Sequence, residues 1–310
     1  MRTAFIDALC HVAEEDERVW LLCGDLGYSV LERFAEKFPR RFLNAGVAEQ
    51  NMIGVAAGLA MSGHTVFTYS IANFPVMRCL EQIRNDVCMH DLSVKIVAVG
   101  GGLSYGPAGY THHALEDLAV MRAMPGMTVV APGDPLEAGL ATRAIADHKG
   151  PCYLRLGKAG EPVVHEVEPK FRIGEAIVVR DGEDTTLVST GTMLERTVAA
   201  ARLLYDRGIS ASVLSMHTVK PLDERAILRA ARATRLVCVV EEHCETGGLA
   251  DAVARTLSES GARCSFLALN IPAHLNGEIG SQSYLLERAG LTAEAISERV
   301  AVLLKQQLSG

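Results

Sequence analysis

VKIVAVGGGLSYGPAGYTHH, residues 94–113, reads as a largely apolar strand that runs straight into a glycine-rich loop. A strand apolar on both faces suits a parallel sheet covered on both sides by helices. Similar runs recur at VWLLC (19–23), TVFTY (65–69), MTVVA (127–131) and CYLRL (152–156), with helical patterns between them. That alternation predicts a doubly wound α/β domain over residues 1–162. The pattern fails in KAGEPVVHEVEPK (158–170), where Gly160, Pro162 and Pro169 punctuate a charged stretch, and a linker is expected over 163–172. A second set, AIVVR (176–180), TTLVS (185–189), ASVLS (211–215), LVCVV (236–240) and CSFLAL (264–269), predicts another α/β domain over 173–310. Both sheets are expected to be mainly parallel.

Composition narrows the function. A chain of 310 residues suits two domains, and its 49% hydrophobic content is high enough to suggest a large buried subunit interface. The net charge of −7 argues against nucleic acid or an anionic membrane as the main partner. Eight cysteines are scattered without a CxxC pair and read as buried thiols in a reducing compartment. The opening MRTAFIDALCHVAEED has helical spacing rather than a signal peptide's apolar block, and no stretch is long enough to span a bilayer. A cytoplasmic protein is expected.

Two stretches carry candidate chemistry. NAGVAEQNMIGVAAGLA (44–60) places one acid, Glu49, at the start of a helix that is apolar almost all round, with Gly54 and Gly58 permitting close approach. Such a helix is expected to be buried, and a buried acid at its first turn either caps the helix or meets a ligand nitrogen. The loop 100–113 lies beyond a strand's carboxyl end, where ligands of open α/β sheets gather. Its glycines fit neither GxGxxG nor the GxxxxGK[ST] phosphate loop. The adjacent His112 and His113 diverge on any regular backbone, so one of them contacting a substrate is a better reading than a shared metal. In EEHCETGGL (241–249) the acids and His243 lack a second ligand group at metal spacing, and a helix N-terminus at an interface is expected instead.

Taken together, GVAEQNMIGVAAGLA (46–60), EQIRND (81–86), GYTHHALEDLAVMRAMPGMTVVAPGDPLEA (109–138) and YLRLGK (153–158) are distinctive. With them the chain resembles the C-terminal half of a transketolase, in the split form where two polypeptides make one enzyme. The resemblance implies a pyrimidine-binding domain, a transketolase C-terminal domain and thiamine diphosphate as cofactor. In such enzymes the acid matching Glu49 bonds N1′ of the aminopyrimidine, making accessible the imino tautomer that removes the thiazolium C2 proton. Phe74 matches the aromatic residue packed on that ring, Ile71 and Met77 take two further ring-pocket positions, and Asp25 matches an acid near the cofactor. His112 matches a histidine that serves both catalysis and substrate binding.

Arg2, Ser29 and Lys158 match contacts to the substrate's phosphate, Lys158 standing where the family has arginine. An Asp that reads a sugar hydroxyl falls at Ala108, and a further sugar-phosphate histidine falls at Gly100. These departures imply a phosphorylated or modified ketose as donor of a two-carbon ketol unit. The family's GDG motif with its spaced Asn has no counterpart here. Mg²⁺ or Ca²⁺ is therefore expected on a partner, the N-terminal transketolase subunit, in a heterotetramer, with no metal ligand on this chain. The rival readings are a β subunit of a 2-oxo acid dehydrogenase and a non-catalytic structural or regulatory subunit.

Overall fold

Residues 1–308 are described by the computed structural model, and among them twelve strands build two sheets. In chain order the strands are β1 (Val19–Cys23), β2 (Phe42–Asn44), β3 (Thr65–Ile71), β4 (Val94–Val99), β5 (Thr128–Val130), β6 (Cys152–Leu156), β7 (Ile177–Arg180), β8 (Thr185–Ser189), β9 (Ala211–Ser215), β10 (Thr218–Lys220), β11 (Leu236–Cys244) and β12 (Ser265–Ile271). The first sheet runs β10-β5-β6-β4-β3-β1-β2 and the second β12-β11-β8-β9-β7. Every pairing is parallel except β10 with β5 and β7 with β9. The short strands β2 and β10 fall outside the sequence reading, because neither sits in a longer apolar run such as the MTVVA that marks the equally short β5. β10 comes from beyond the linker yet completes the edge of the first sheet, pairing Thr218 with Val130.

The helices are α1 (Arg2–Glu15), α2 (Glu32–Lys37), α3 (Glu49–Met61), α4 (Leu80–Gln82), α5 (Asp117–Ala123), α6 (Pro135–Asp147), α7 (Met193–Tyr205), α8 (Glu224–Ala233), α9 (Leu249–Ser260), α10 (Gln282–Arg288) and α11 (Ala293–Leu308). One face of the first sheet buries Phe67, Val97 and Val130 against Phe5 and Leu9 of α1 and Ala138 of α6. On the other face, Ile96 and Val66 share one core with Met52 and Ile53 of α3 and with Val237, Ile227 and Val253 of the second domain. Each such side chain contributes roughly 1.5–3 kcal/mol on full burial, so the two domains are joined by apolar packing as well as by β10.

α3 departs from its expected full burial. Met52, Ile53, Ala56 and Ala57 are buried, but Gln50, Asn51, Gly54, Gly58 and Met61 are exposed. A Cβ added at Gly54 or Gly58 would meet nothing within 4 Å. An apolar pattern reports that a face is covered without saying which chain covers it, and this chain leaves that face of α3 open.

The linker is pinned rather than loose. Asp134 caps α6 by accepting from Glu137 N at 2.8 Å, and its second oxygen accepts from the backbone N–H groups of Val164 and His165 at 2.9 and 3.2 Å. His165 Nε2 then meets the buried Glu137 carboxylate at 2.7 Å. Burial pulls the imidazolium pKa down, but the Glu137 bond and the charges of Glu137 and Asp134 outweigh it, and the pKa is raised. A raised folded-state pKa gives stability that is whole below the unfolded value and is lost as pH rises through the folded one. The melting-temperature advantage of wild type over His165→Gln is therefore expected to be largest below the ordinary histidine value of about 6.5 and to shrink as pH rises above it. An advantage that grows with pH would remove the Glu137 pair as its source.

Candidate active site

The candidate residues gather where the first sheet's strands end. Glu49 opens α3, is 4% exposed, and accepts from Arg78 Nη1 at 3.2 and 3.1 Å through its two carboxylate oxygens. Arg78 lies on a wide π-helical turn, Phe74–Arg78, that follows β3, and its guanidinium stands 4.1 Å over the Phe74 ring. Phe74 meets the His112 ring edge-on, with centroids 5.1 Å apart. Beyond His112, whose Nδ1 is 3.0 Å from Thr111 Oγ1, comes Tyr105 at 6.2 Å between rings. The Lys158 ammonium stands 4.5 Å over the Tyr105 ring. One continuous row thus runs from an acid, through two aromatic rings and an imidazole, to an ammonium.

Arg78 and Tyr105 escaped the sequence reading. The available signal was an arginine four residues after Phe74 on a helical turn, which puts both on one face, and one of two tyrosines in a glycine-rich loop.

Beneath Glu49 the floor is small and polar. A Cβ on Gly24, at the end of β1, would stand 3.6 Å from both Glu49 Cγ and Ser70 Oγ. Ser70 is fully buried and its hydroxyl has no partner among the described residues. Burial, then the nearby Glu49 charge, push the Cys79 thiol pKa up to about 12. The carboxylate opens on a crevice lined by Val47, Ala48, Gln50, Asn51 and Arg78. A buried acid facing an open crevice, with an orphaned hydroxyl beside it and a phenylalanine ring nearby, fits a flat heteroaromatic ring that carries both donors and acceptors.

The other expected residues are held differently. Ile71 ends β3 half-buried, and Met77, 40% exposed, lines an adjoining groove with Asn73, Tyr110 and Thr111. Asp25 and Ser29 are exposed on the loop after β1, with left-handed φ of 57° and 62°. Asp25 accepts from Asn44 Nδ2 at 3.0 Å, and the Ser29 amide donates to Glu32 at 2.7 Å. Arg2 begins α1, and its positive charge acts on the phenols of Tyr69 and Tyr105. His113 turns inward, 2% exposed, with Nε2 3.3 Å from Gly106 O.

The second domain shapes the site loop. Glu242, 1% exposed at the end of β11, accepts from the Leu103 amide at 2.7 Å, from Thr192 Oγ1 at 2.9 Å and from Gln282 Nε2 at 2.9 and 3.0 Å. Gly102 takes a φ of +66°, and a side chain there would collide with Glu242. Its neighbour Glu241 caps α9, accepting from Leu249 N and Ala250 N at 2.7 and 2.9 Å, while His243 accepts from Ala119 N at 3.2 Å. Among the described residues no group of three or more His, Cys, Asp or Glu side chains is placed to hold a metal ion. Glu242→Ala takes the acceptor from three donors at once, the buried Leu103 amide and the half-buried Thr192 and Gln282 side chains, and is expected to cost about 1–3 kcal/mol in urea unfolding. A change under about 0.5 kcal/mol, the range of a surface substitution, would mean the loop is held by packing alone.

Comparison with known proteins agrees with this geometry. Residues 1–160 match the family described as "Transketolase, pyrimidine binding domain", and residues 174–296 match "Transketolase, C-terminal domain". A 6-deoxy-6-sulfo-D-fructose transketolase subunit of Clostridium sp. (strain MSTE9) is 38% identical over 96% of this chain and 92% of its own length. One subunit of an apulose-4-phosphate transketolase from Phocaeicola vulgatus is 40% identical over 84% of each chain. A solved structure described as "Split gene transketolase, inactive beta4 tetramer" superposes with a TM-score of 0.88 at 36% identity, covering 98% of this chain and 97% of that one. The chain therefore belongs to the transketolase family, a thiamine-diphosphate-dependent one, and carries its pyrimidine-binding and C-terminal domains in the arrangement of the split-gene subunits.

Proposed function

We propose that this chain is the C-terminal subunit of a two-component transketolase that moves a two-carbon ketol unit from a phosphorylated or otherwise modified ketose to an aldehyde. The observation that carries this reading is Glu49, a buried acid at a helix start that faces an open crevice beside Phe74. Thiamine diphosphate, when bound, supplies the nucleophilic carbon on which a ketose is cleaved. Glu49 holds a proton at the pyrimidine nitrogen, exchanging its Arg78 partner for the ring. Phe74 packs on the ring face, Ile71 and Met77 extend the apolar wall, and Asp25 borders the cofactor. His112 orients substrate oxygens and moves a proton to or from them. Arg2, Ser29 and Lys158 receive the anionic end of the sugar.

Both relatives are named for sugars with an anionic substituent, which supports a substrate of that class. The missing GDG motif and the open face of α3 support a partner subunit that holds Mg²⁺ or Ca²⁺ with the diphosphate and completes a heterotetramer in the cytoplasm. The test is co-expression with an N-terminal subunit. Ketol transfer is expected from the pair and not from this chain alone, and calorimetry is expected to find tight cofactor binding only in the pair. Release of CO₂ from a 2-oxo acid, without ketol transfer, would make the chain a dehydrogenase β subunit instead.

A further inference from the structure

Gly100, directly after β4, has no room for a side chain: its φ is +75°, and a Cβ would fall deep inside van der Waals contact with the Tyr105 ring. Tyr105 fills that place from five residues further along the loop. Its own position is fixed on both sides. Ser104 Oγ donates to Gly101 O at 2.8 Å, Ala108 N donates to Tyr105 O at 2.8 Å, and a Cβ on Gly106 would strike Gly280 of the second domain. The ring carries Lys158 on one face at 4.5 Å and lies 6.2 Å from the His112 ring, on the side of the row away from Glu49. Arg2 acts on it from the start of α1.

Next to this phenol lies another, Tyr69, 1% exposed, on which the Arg2 side chain acts both by its charge and by hydrogen bonding, with Tyr105 the next ionisable neighbour. Two phenolic donors, a guanidinium and an ammonium thus gather beyond His112, and the carboxylate nearest in the chain to Lys158, Glu161, is engaged by the Met1 ammonium at 3.0 Å. Burial pushes the Tyr105 pKa up, so its hydroxyl stays a donor at neutral pH. Such a set recognises a tetrahedral oxyanion at the far end of a sugar whose carbonyl lies near His112.

We propose that Tyr105 is a specificity-determining, substrate-binding residue that occupies the wall vacated by Gly100 and donates its hydroxyl to the phosphate or sulfonate of the ketose, while its ring steadies Lys158 by a cation–π contact. The inference rests on the transketolase reading above. The test uses the reconstituted two-subunit enzyme, wild type and Tyr105→Phe, with fructose 6-phosphate, 6-deoxy-6-sulfofructose and fructose as donors. The phenylalanine keeps the ring, so the fold and the Lys158 contact are retained and only the hydroxyl is lost.

The preference for an anionic donor over fructose, as a ratio of kcat/KM, is expected to fall about tenfold in the variant. A fall with phosphate alone, or with sulfonate alone, identifies which anion the hydroxyl reads. A ratio within twofold of wild type for both anions overturns the role of Tyr105 and leaves the transketolase reading standing. Absence of cofactor-dependent ketol transfer by the wild-type pair from all three donors overturns both.

Discussion

Glu49→Gln is expected to lower kcat of the two-subunit enzyme about 10²- to 10⁴-fold, the range for loss of one placed acid–base group. Glutamine matches the acid in size and can still accept a hydrogen bond, but it cannot hold a proton for the ring nitrogen. The structural cost is small by comparison. Arg78 is half-exposed, so its ion pair with Glu49 adds about 0–1 kcal/mol. The favourable interaction of the charge with the α3 N-terminus adds about 0.3–1 kcal/mol. Circular dichroism, subunit assembly and melting are therefore expected to change little while turnover collapses. A variant that keeps activity within a few-fold of wild type would reduce Glu49 to a capping acid and revive the non-catalytic reading of the chain.

Elements with a strong local signature were legible in the sequence: β4 through an apolar run interrupted only by Lys95, and α3 through the lone acid that opens its apolar stretch. The row of site residues was legible only in part, for a physical reason. Glu49, Phe74 and His112 stand out because their residue types are unusual in their local pattern or match a family motif. Arg78 and Tyr105 matter through partners 29 and 53 residues away, Glu49 and Lys158, and no local pattern encodes that distance. The same holds for Glu242, which grips Leu103 from 139 residues further along the chain. β10 is the extreme case, since its pairing with β5 depends on the packing of two domains. α3 erred in the other direction: its apolar pattern predicts cover all round, and among the described residues only one face is covered.

Arg155→Leu is expected to destabilise the protein by about 3–5 kcal/mol, lowering the melting temperature by roughly 10 °C. Arg155 points from β6 into the junction of the two domains, 4% exposed, and bonds the fully buried Asp117 through Nε at 2.8 Å and Nη2 at 3.1 Å. The same Nη2 donates to Ala114 O at 2.9 Å and, across the domain boundary, to Glu242 O at 3.0 Å. Leucine leaves Asp117 buried with Tyr153 Oη, at 2.6 Å, as its one remaining side-chain donor among these contacts, and takes the Arg155 donor from two carbonyls, of which Ala114 O keeps the Gly102 amide at 2.9 Å. The loss thus comes mainly from an uncompensated charge, not from a missing attraction.

That origin makes a second result decisive. Asp117→Leu combined with Arg155→Leu removes both charges and is expected to recover part of the stability that the single change loses. If the double variant instead falls by the sum of the two single changes, the pair contributes through packing. Because Ala114 and Glu242 flank the two ends of the loop that carries Tyr105 and His112, Arg155→Leu is also expected to raise KM in the two-subunit enzyme before it affects kcat.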